Sequence, residues 1–356
     1  MFYEQRIMGL DNLQKQSDTV VVRQEGRHTL LSRVTSITLR LAVSIALLLW
    51  IIKSIDLGIL EKVIISPRVS ALVIMVILSI FVVFLGGVKL WVLFRCFSSI
   101  NLWLFTGYFF LAGSIGSLIP AIFGDFTLVA LVRRDKVHYH QSVSALLVDR
   151  FVTLLMAGFL FTPFTLAFVL PIKPLTVFIT TIGTLAGFCI LVIITARYAP
   201  VIFSRTPVAQ RFWESLLLFF SNYRENLLAN VVIGLGRSVI SGFALAFAFM
   251  AADLIPPMFP TICITSSLSV ITHIPISLGG LGVYEGSGLI LFEAIGMVRE
   301  QVLAGLLYQR LYIIIWAAAS IVIMGFIILF HRSRRTINLP DGSVPLNNEG
   351  SSHDPL

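Results

Sequence analysis

The chain has 356 residues, of which 57% are hydrophobic and 12% charged, with mean hydropathy +0.94 and formal net charge +8. A soluble domain carries about 25% charged residues, so this balance excludes an ordinary water-soluble enzyme and defines an integral membrane protein. The positive excess reads as Lys and Arg of cytoplasmic loops meeting anionic lipid head groups, and not as nucleic-acid binding.

Residues 1–36 are mixed and polar, hold Arg6, Lys15, Arg23, Arg27 and Arg33, and read as a cytoplasmic arm. Apolar sequence begins near Ile37, too late for a cleaved signal. Apolar runs follow at 37–54, 69–94, 103–123, 143–170, 174–196, 226–254, 258–278, 283–297 and 301–330. A span needs about 20 apolar residues. The runs 37–54, 69–94, 143–170, 174–196, 226–254 and 301–330 qualify, the first being slightly short. The other three are interrupted or ended by Gly, Pro or charge and read as re-entrant, broken helices. Segment 207–226, with Arg211, Trp213, Phe219, Phe220 and Arg224, is amphipathic and reads as a surface segment of the inner leaflet. Residues 331–356, rich in Ser, Asn, Pro and Gly, read as a disordered cytoplasmic tail. The predicted fold is all-α: a polytopic membrane protein of about six full spans plus re-entrant broken helices, over a transmembrane domain at 37–330.

Basic clusters stand in the N-terminal arm, at 133–136, in 197–225 and at 331–335. All four are cytoplasmic, as are both termini, if run 103–123 dips in and returns on the same side. The broken element at 258–297 then enters from the outer side. The two elements have opposite orientations, the pattern of an inverted repeat in transporters.

The repeat carries a motif. One copy reads Pro120-Ala-Ile-Phe-Gly124-Asp125, followed by Asp149-Arg150. The other reads Pro275-Ile-Ser-Leu-Gly279-Gly280-Leu-Gly282-Val-Tyr-Glu285, followed by Arg310. The acid precedes the arginine by 25 positions in each, 125 to 150 and 285 to 310. Pro120 removes a backbone donor, and Gly279, Gly280 and Gly282 permit positive-φ geometry. Freed N–H groups and half-helix N-termini suit an anion such as a phosphate. Ionised groups in apolar sequence face the protein interior and pair, because exposure to lipid costs at least about 2.5 kcal/mol each. Arg150 and Arg310 are therefore candidates for a lipid phosphate, with Asp125 and Glu285 as pairing or proton-relay groups. Asp149-Arg150 also fits interfacial snorkelling, and Arg237 sits mid-run without an evident partner.

Other chemistry is poorly supplied. Gly280-x-Gly282 lacks the spacing of a dinucleotide fingerprint. His138 and His140 have no accompanying ligands for a metal, and Cys96, Cys189 and Cys263 are not spaced as a redox or metal pair. No nucleophile triad is evident, so neither cofactor nor metal nor enzyme activity is expected.

At these residues the chain resembles the lysylphosphatidylglycerol synthase transmembrane family, also called flippase-like or UPF0104. Gly124-Asp125, Asp149-Arg150, the Pro275–Glu285 stretch and Leu306-Leu307-Tyr308-Gln309-Arg310 carry the likeness, which covers about residues 37–330. The family pattern often has an arginine where this chain has Leu128. The resemblance extends only to the membrane part of the aminoacyl-lipid synthases. It implies translocation of an anionic phospholipid or lipid-linked precursor across a bacterial inner membrane. The alternative is a non-catalytic accessory subunit of glycosyl or aminoacyl transfer, with a soluble transferase partner. A homo-oligomer is compatible with either.

Overall fold

In the computed structural model, the described residues are 41–118, 121–135, 137–170, 221–273 and 280–337, with isolated positions elsewhere. Every regular element among them is helical. The N-terminal arm, Pro120, Pro275, Gly279, Cys189 and most of run 174–196 lie outside them, as does 338–356.

Helices α1 (Leu41–Lys53) and α2 (Leu57–Ile65) meet at a 94° bend. Asp56 makes the break: its carboxylate accepts from the Gly58 and Ile59 N–H groups at 2.8 and 3.2 Å and starts a new helix. The bend therefore falls just after run 37–54, which α1 occupies. At 1.5 Å per residue α1 covers about 20 Å, short of a bilayer core of about 30 Å. The straight spans among the described residues are α3 (Val69–Phe94), Tyr139–Val169, α8 (Arg224–Ala251) and the apolar part of the last helix, Arg299–Ser320. The bent pair raises the count from four to five.

Span Tyr139–Val169 is α6 (Tyr139–Leu155), a π turn at Met156–Phe161 and α7 (Thr162–Val169). Pro163 at the start of α7 cannot donate to the ladder, and the chain widens just before it. Thr162 bonds Ala157 O with both its N–H and, at 2.9 Å, its hydroxyl.

The remaining helices fall into two matching sets. In the first, α3 is followed by α4 (Leu102–Leu118), α5 (Ala121–Val132) and α6. In the second, α8 is followed by α9 (Met258–His273), α10 (Val283–Ala294) and α11 (Arg299–Ile337). The paired short helices have 17 and 12 residues in one set and 16 and 12 in the other. Gly124 on α5 lies against Ala112 O and Gly116 of α4, so the two short helices fold back as a hairpin.

The lead helices α3 and α8 pack along their whole length, and in opposite directions. Asn226 and Asn230 near the start of α8 donate to Val92 O and Lys89 O near the end of α3. Arg237 reaches Val82 O, and Arg68 N–H closes on Ala251 O at the far end. The first helices of the two sets therefore run antiparallel, as an inverted repeat requires. Gly86 and Gly234 allow this close approach, since a Cβ would meet Arg237 at the first and Lys89 at the second, while Gly87 faces Thr106 and Phe109 of α4. Each set also lends its first short helix to the other: α4 touches α11 through Phe110 and Trp316, and α9 touches α7 through Phe259 and Phe164.

Of segment 207–226, Arg211 and Phe220 lie outside the described residues, while Phe219 is fully buried in the first core, edge-on to Phe97 with ring centroids 5.3 Å apart. Leu128, at the position where the family pattern often has arginine, is 2% exposed in that core.

Candidate functional site

The second motif copy builds a largely buried ion pair. Gly280 and Gly282 have φ of 74° and 79°, conformations that suit glycine, and they turn the chain into α10. Gly282 also lies where a Cβ would come within 2.8 Å of Leu47 on α1. Three residues on, Glu285 Oε2 accepts the Gly282 N–H at 2.8 Å, and Oε1 accepts from Arg310 Nε at 2.8 Å. Glu285 is thus the anion at the start of α10, where negative charge is favoured by the helix dipole. One donor at this helix start, the Gly282 N–H, is taken by the chain's own carboxylate. The Arg310 guanidinium stands 5.7 Å from the Tyr284 ring. Tyr284 in turn donates to Gln309 Oε1 at 2.7 Å.

The first copy pairs at the same spacing but in a different setting. Arg150 Nη2 donates to Asp125 Oδ1 at 2.8 Å, with side chains 41% and 37% exposed. The corresponding exposures for Arg310 and Glu285 are 17% and 3%. Asp149 separates from its neighbour Arg150 and turns inward. It pairs with Lys89 Nζ at 3.0 Å and accepts from Asn230 Nδ2 at 3.0 Å. Lys89 also donates to Thr153 Oγ1 at 2.5 Å. This knot ties α3, α6 and α8 together. Snorkelling therefore does not describe Asp149, because Lys89 from another helix satisfies it inside the protein.

Between the two inverted sets lies a cavity of about 370 Å³. Arg237 of α8 and Arg310 of α11 both line it. Hydroxyls of Ser79, Ser241, Thr265 and Tyr312 stand around them. The α3 residues in its wall, 79–83, lie about 15–21 Å along a helix about 39 Å long, which places the cavity at mid-height. Arg237 donates through Nε to Val82 O at 3.3 Å, and among the described residues no carboxylate forms an ion pair with it. Gly86 gives it room: a Cβ there would stand 3.3 Å from Nε. The local charge sum is Arg237 plus Arg310 less Glu285, a net +1, which matches the single negative charge of a phosphodiester. Ser79 Oγ and Tyr312 OH are buried without a hydrogen-bond partner among the described residues.

Sequence-predicted residues divide by setting. Gly280, Gly282, Glu285 and Arg310 come together at the edge of the cavity, whereas Gly124, Asp125 and Arg150 do not line it. Pro120, Pro275 and Gly279 lie outside the described residues. Sequence reasoning noticed Arg237 but not its position opposite Arg310. It passed over Lys89, whose charge inside an apolar run was signal enough, and Asn230, whose amide is common in any helix; Tyr284 and Gln309 were quoted within the motif but given no role of their own. Cys96 and Cys263 are free thiols.

A family model described as Lysylphosphatidylglycerol synthase TM region matches residues 37–320 of the chain. No curated protein and no solved structure matches it.

Proposed function

The chain belongs to the lysylphosphatidylglycerol synthase TM region family, and from that premise we propose that it moves the head group of an anionic phospholipid or lipid-linked precursor across a bacterial inner membrane. Membership by itself supports a membrane role related to lipid modification. The observation that carries the finer reading is the mid-height cavity holding Arg237 and Arg310 between inverted helix sets. An ionised head group is costly to bring into hydrocarbon. Two guanidiniums and a ring of hydroxyls replace its lost water with charge-assisted hydrogen bonds. Glu285 fixes Arg310 and trims the site's charge, so that a monoanion is held without being trapped. Inverted sets packed on antiparallel α3 and α8 suit alternate opening of such a site to either side. The reading involves no bond-making step.

The test is head-group movement in proteoliposomes, followed with a fluorescent anionic phospholipid and a membrane-impermeant quencher. Arg237→Ala, whose guanidinium is bound only to a backbone carbonyl by the described residues, is the preferred variant. Loss of one charged hydrogen bond predicts a rate lower by roughly 10- to 100-fold. Wild-type movement no faster than that of the Arg237→Ala, Glu285→Ala and Arg310→Ala proteins would sink the proposal. If movement is absent and a soluble transferase co-purifies, the accessory-subunit reading takes its place.

A further inference from the structure

Asp125 and Arg150 do not line the cavity, so the first motif copy is left without a task. Their depth makes them unusual. Arg150 stands seven residues inside an apolar run (143 to 150), and Asp125 stands seven residues before the end of α5 at Val132 (125 to 132). At 1.5 Å per residue, both helices place the pair about 10 Å from the polar segment that holds Arg133 and Arg134. Half of a bilayer core is about 15 Å thick, so this depth lies within hydrocarbon.

The pair is nonetheless half-exposed. Leu147, Phe151 and Leu154 recur at helical spacing beside Arg150 on α6, and Phe123 and Phe126 flank Asp125 on α5. All five are apolar and exposed. Charged groups inside a bilayer normally face the protein interior or a watery cavity. Lys89 and Asp149 obey that rule, with side chains 3% and 16% exposed. Asp125 and Arg150 present charge on an apolar outer face instead. Hydrocarbon offers them no hydrogen bond, so their open side calls for polar company from the bilayer itself.

The pair's own charge selects that company. It sums to zero, whereas the central cavity carries a net +1. A monoanion gains little here, because attraction to Arg150 is offset by repulsion from Asp125. A zwitterion gains at both ends, with its phosphate on the guanidinium and its ammonium on the carboxylate. We infer that Asp125 and Arg150 form a lateral site for the head group of a zwitterionic phospholipid bearing a primary ammonium, the phosphatidylethanolamine class. The lipid comes from the leaflet on the side of Arg133 and Arg134, and local thinning of the bilayer brings its head group to the pair. The exposed Phe and Leu side chains then meet its acyl chains. This site concerns binding and does not depend on passage through the cavity.

The deciding comparison sets phosphatidylethanolamine against phosphatidylcholine with the same acyl chains. Both are zwitterions, but only the first carries N–H donors for Asp125. Purified full-length protein would be equilibrated with an equimolar mixture in nanodiscs, and the lipid retained on the protein read by mass spectrometry. One charge-assisted hydrogen bond at a half-exposed site predicts a phosphatidylethanolamine preference of roughly three- to tenfold. Asp125→Asn keeps the shape, loses the charge and should bring the ratio close to unity. Asp253→Asn alters another exposed pair, that with Arg68, and should leave the ratio as in wild type. Arg150→Gln should lower retention of both lipids and keep their ratio. Equal retention of the two lipids by the wild type overturns the inference, and that result needs no variant to fold. A preference that survives in Asp125→Asn overturns it as well. A two-copy particle that falls to one copy in that variant, with no lipid preference, overturns it in favour of a contact between copies of the chain. Loss of head-group movement, measured separately, refutes translocation alone.

Discussion

Removing the Glu285 carboxylate should cost far more than removing that of Asp125, although both acids contact their arginines at 2.8 Å. The difference follows from burial. Glu285 and Arg310 are 3% and 17% exposed, so Glu285→Ala leaves a largely buried guanidinium without its carboxylate and orphans the Gly282 N–H. Breaking a buried pair from one side costs about 3–5 kcal/mol. Asp125 and Arg150 are 37% and 41% exposed, and solvent screening leaves such a pair worth about 0–1 kcal/mol. Glu285→Gln is the informative intermediate, because its amide oxygen can still accept from Gly282 while the charge is gone. Unfolding equilibria in mixed micelles, read by loss of helicity, would rank the proteins as Glu285→Ala, Glu285→Gln, Asp125→Ala in decreasing cost. A double-mutant cycle with Arg310→Met isolates the pair itself: the double variant should be less damaging than the sum of its parts. Equal costs for Glu285→Ala and Asp125→Ala, or an additive cycle, would refute the claim that burial separates the two copies.

Two further perturbations follow from the packing. Lys89→Ala should destabilise the protein by about 3–5 kcal/mol by stranding Asp149, whereas Lys89→Met combined with Asp149→Leu should recover most of that loss in the same unfolding assay. Gly124→Ala brings a Cβ within 2.5 Å of Ala112 O, a backbone atom that cannot swing aside, so α4 and α5 must part at a cost of about 1–3 kcal/mol. Protease cleavage between α4 and α5 should rise in that variant, while Gly113→Ala, which meets nothing within 4 Å, should behave as wild type.

Much of this molecule is written in local chemistry. Composition alone makes it a helical membrane protein, because hydrocarbon leaves the backbone no other partner than itself. The glycines at 280 and 282 announce a turn at membrane depth, and the 25-residue interval from acid to arginine anticipates both ion pairs. What local sequence does not contain is which charge meets which across helices. Asp149 and Arg150 are chain neighbours, yet helical geometry points them about 100° apart, one to Lys89 inside and one to Asp125 outside. Arg237 lies 73 positions before Arg310 (237 to 310), and only the antiparallel packing of α3 and α8 sets them around one cavity. Nor does the sequence reveal that Glu285 occupies its own helix start, since that depends on the positive φ of Gly282 being realised against α1. Hydropathy and motif spacing report what each segment requires. The tertiary structure decides which of those requirements are met by the chain itself and which leave Arg237 lining a cavity with no carboxylate paired to it among the described residues.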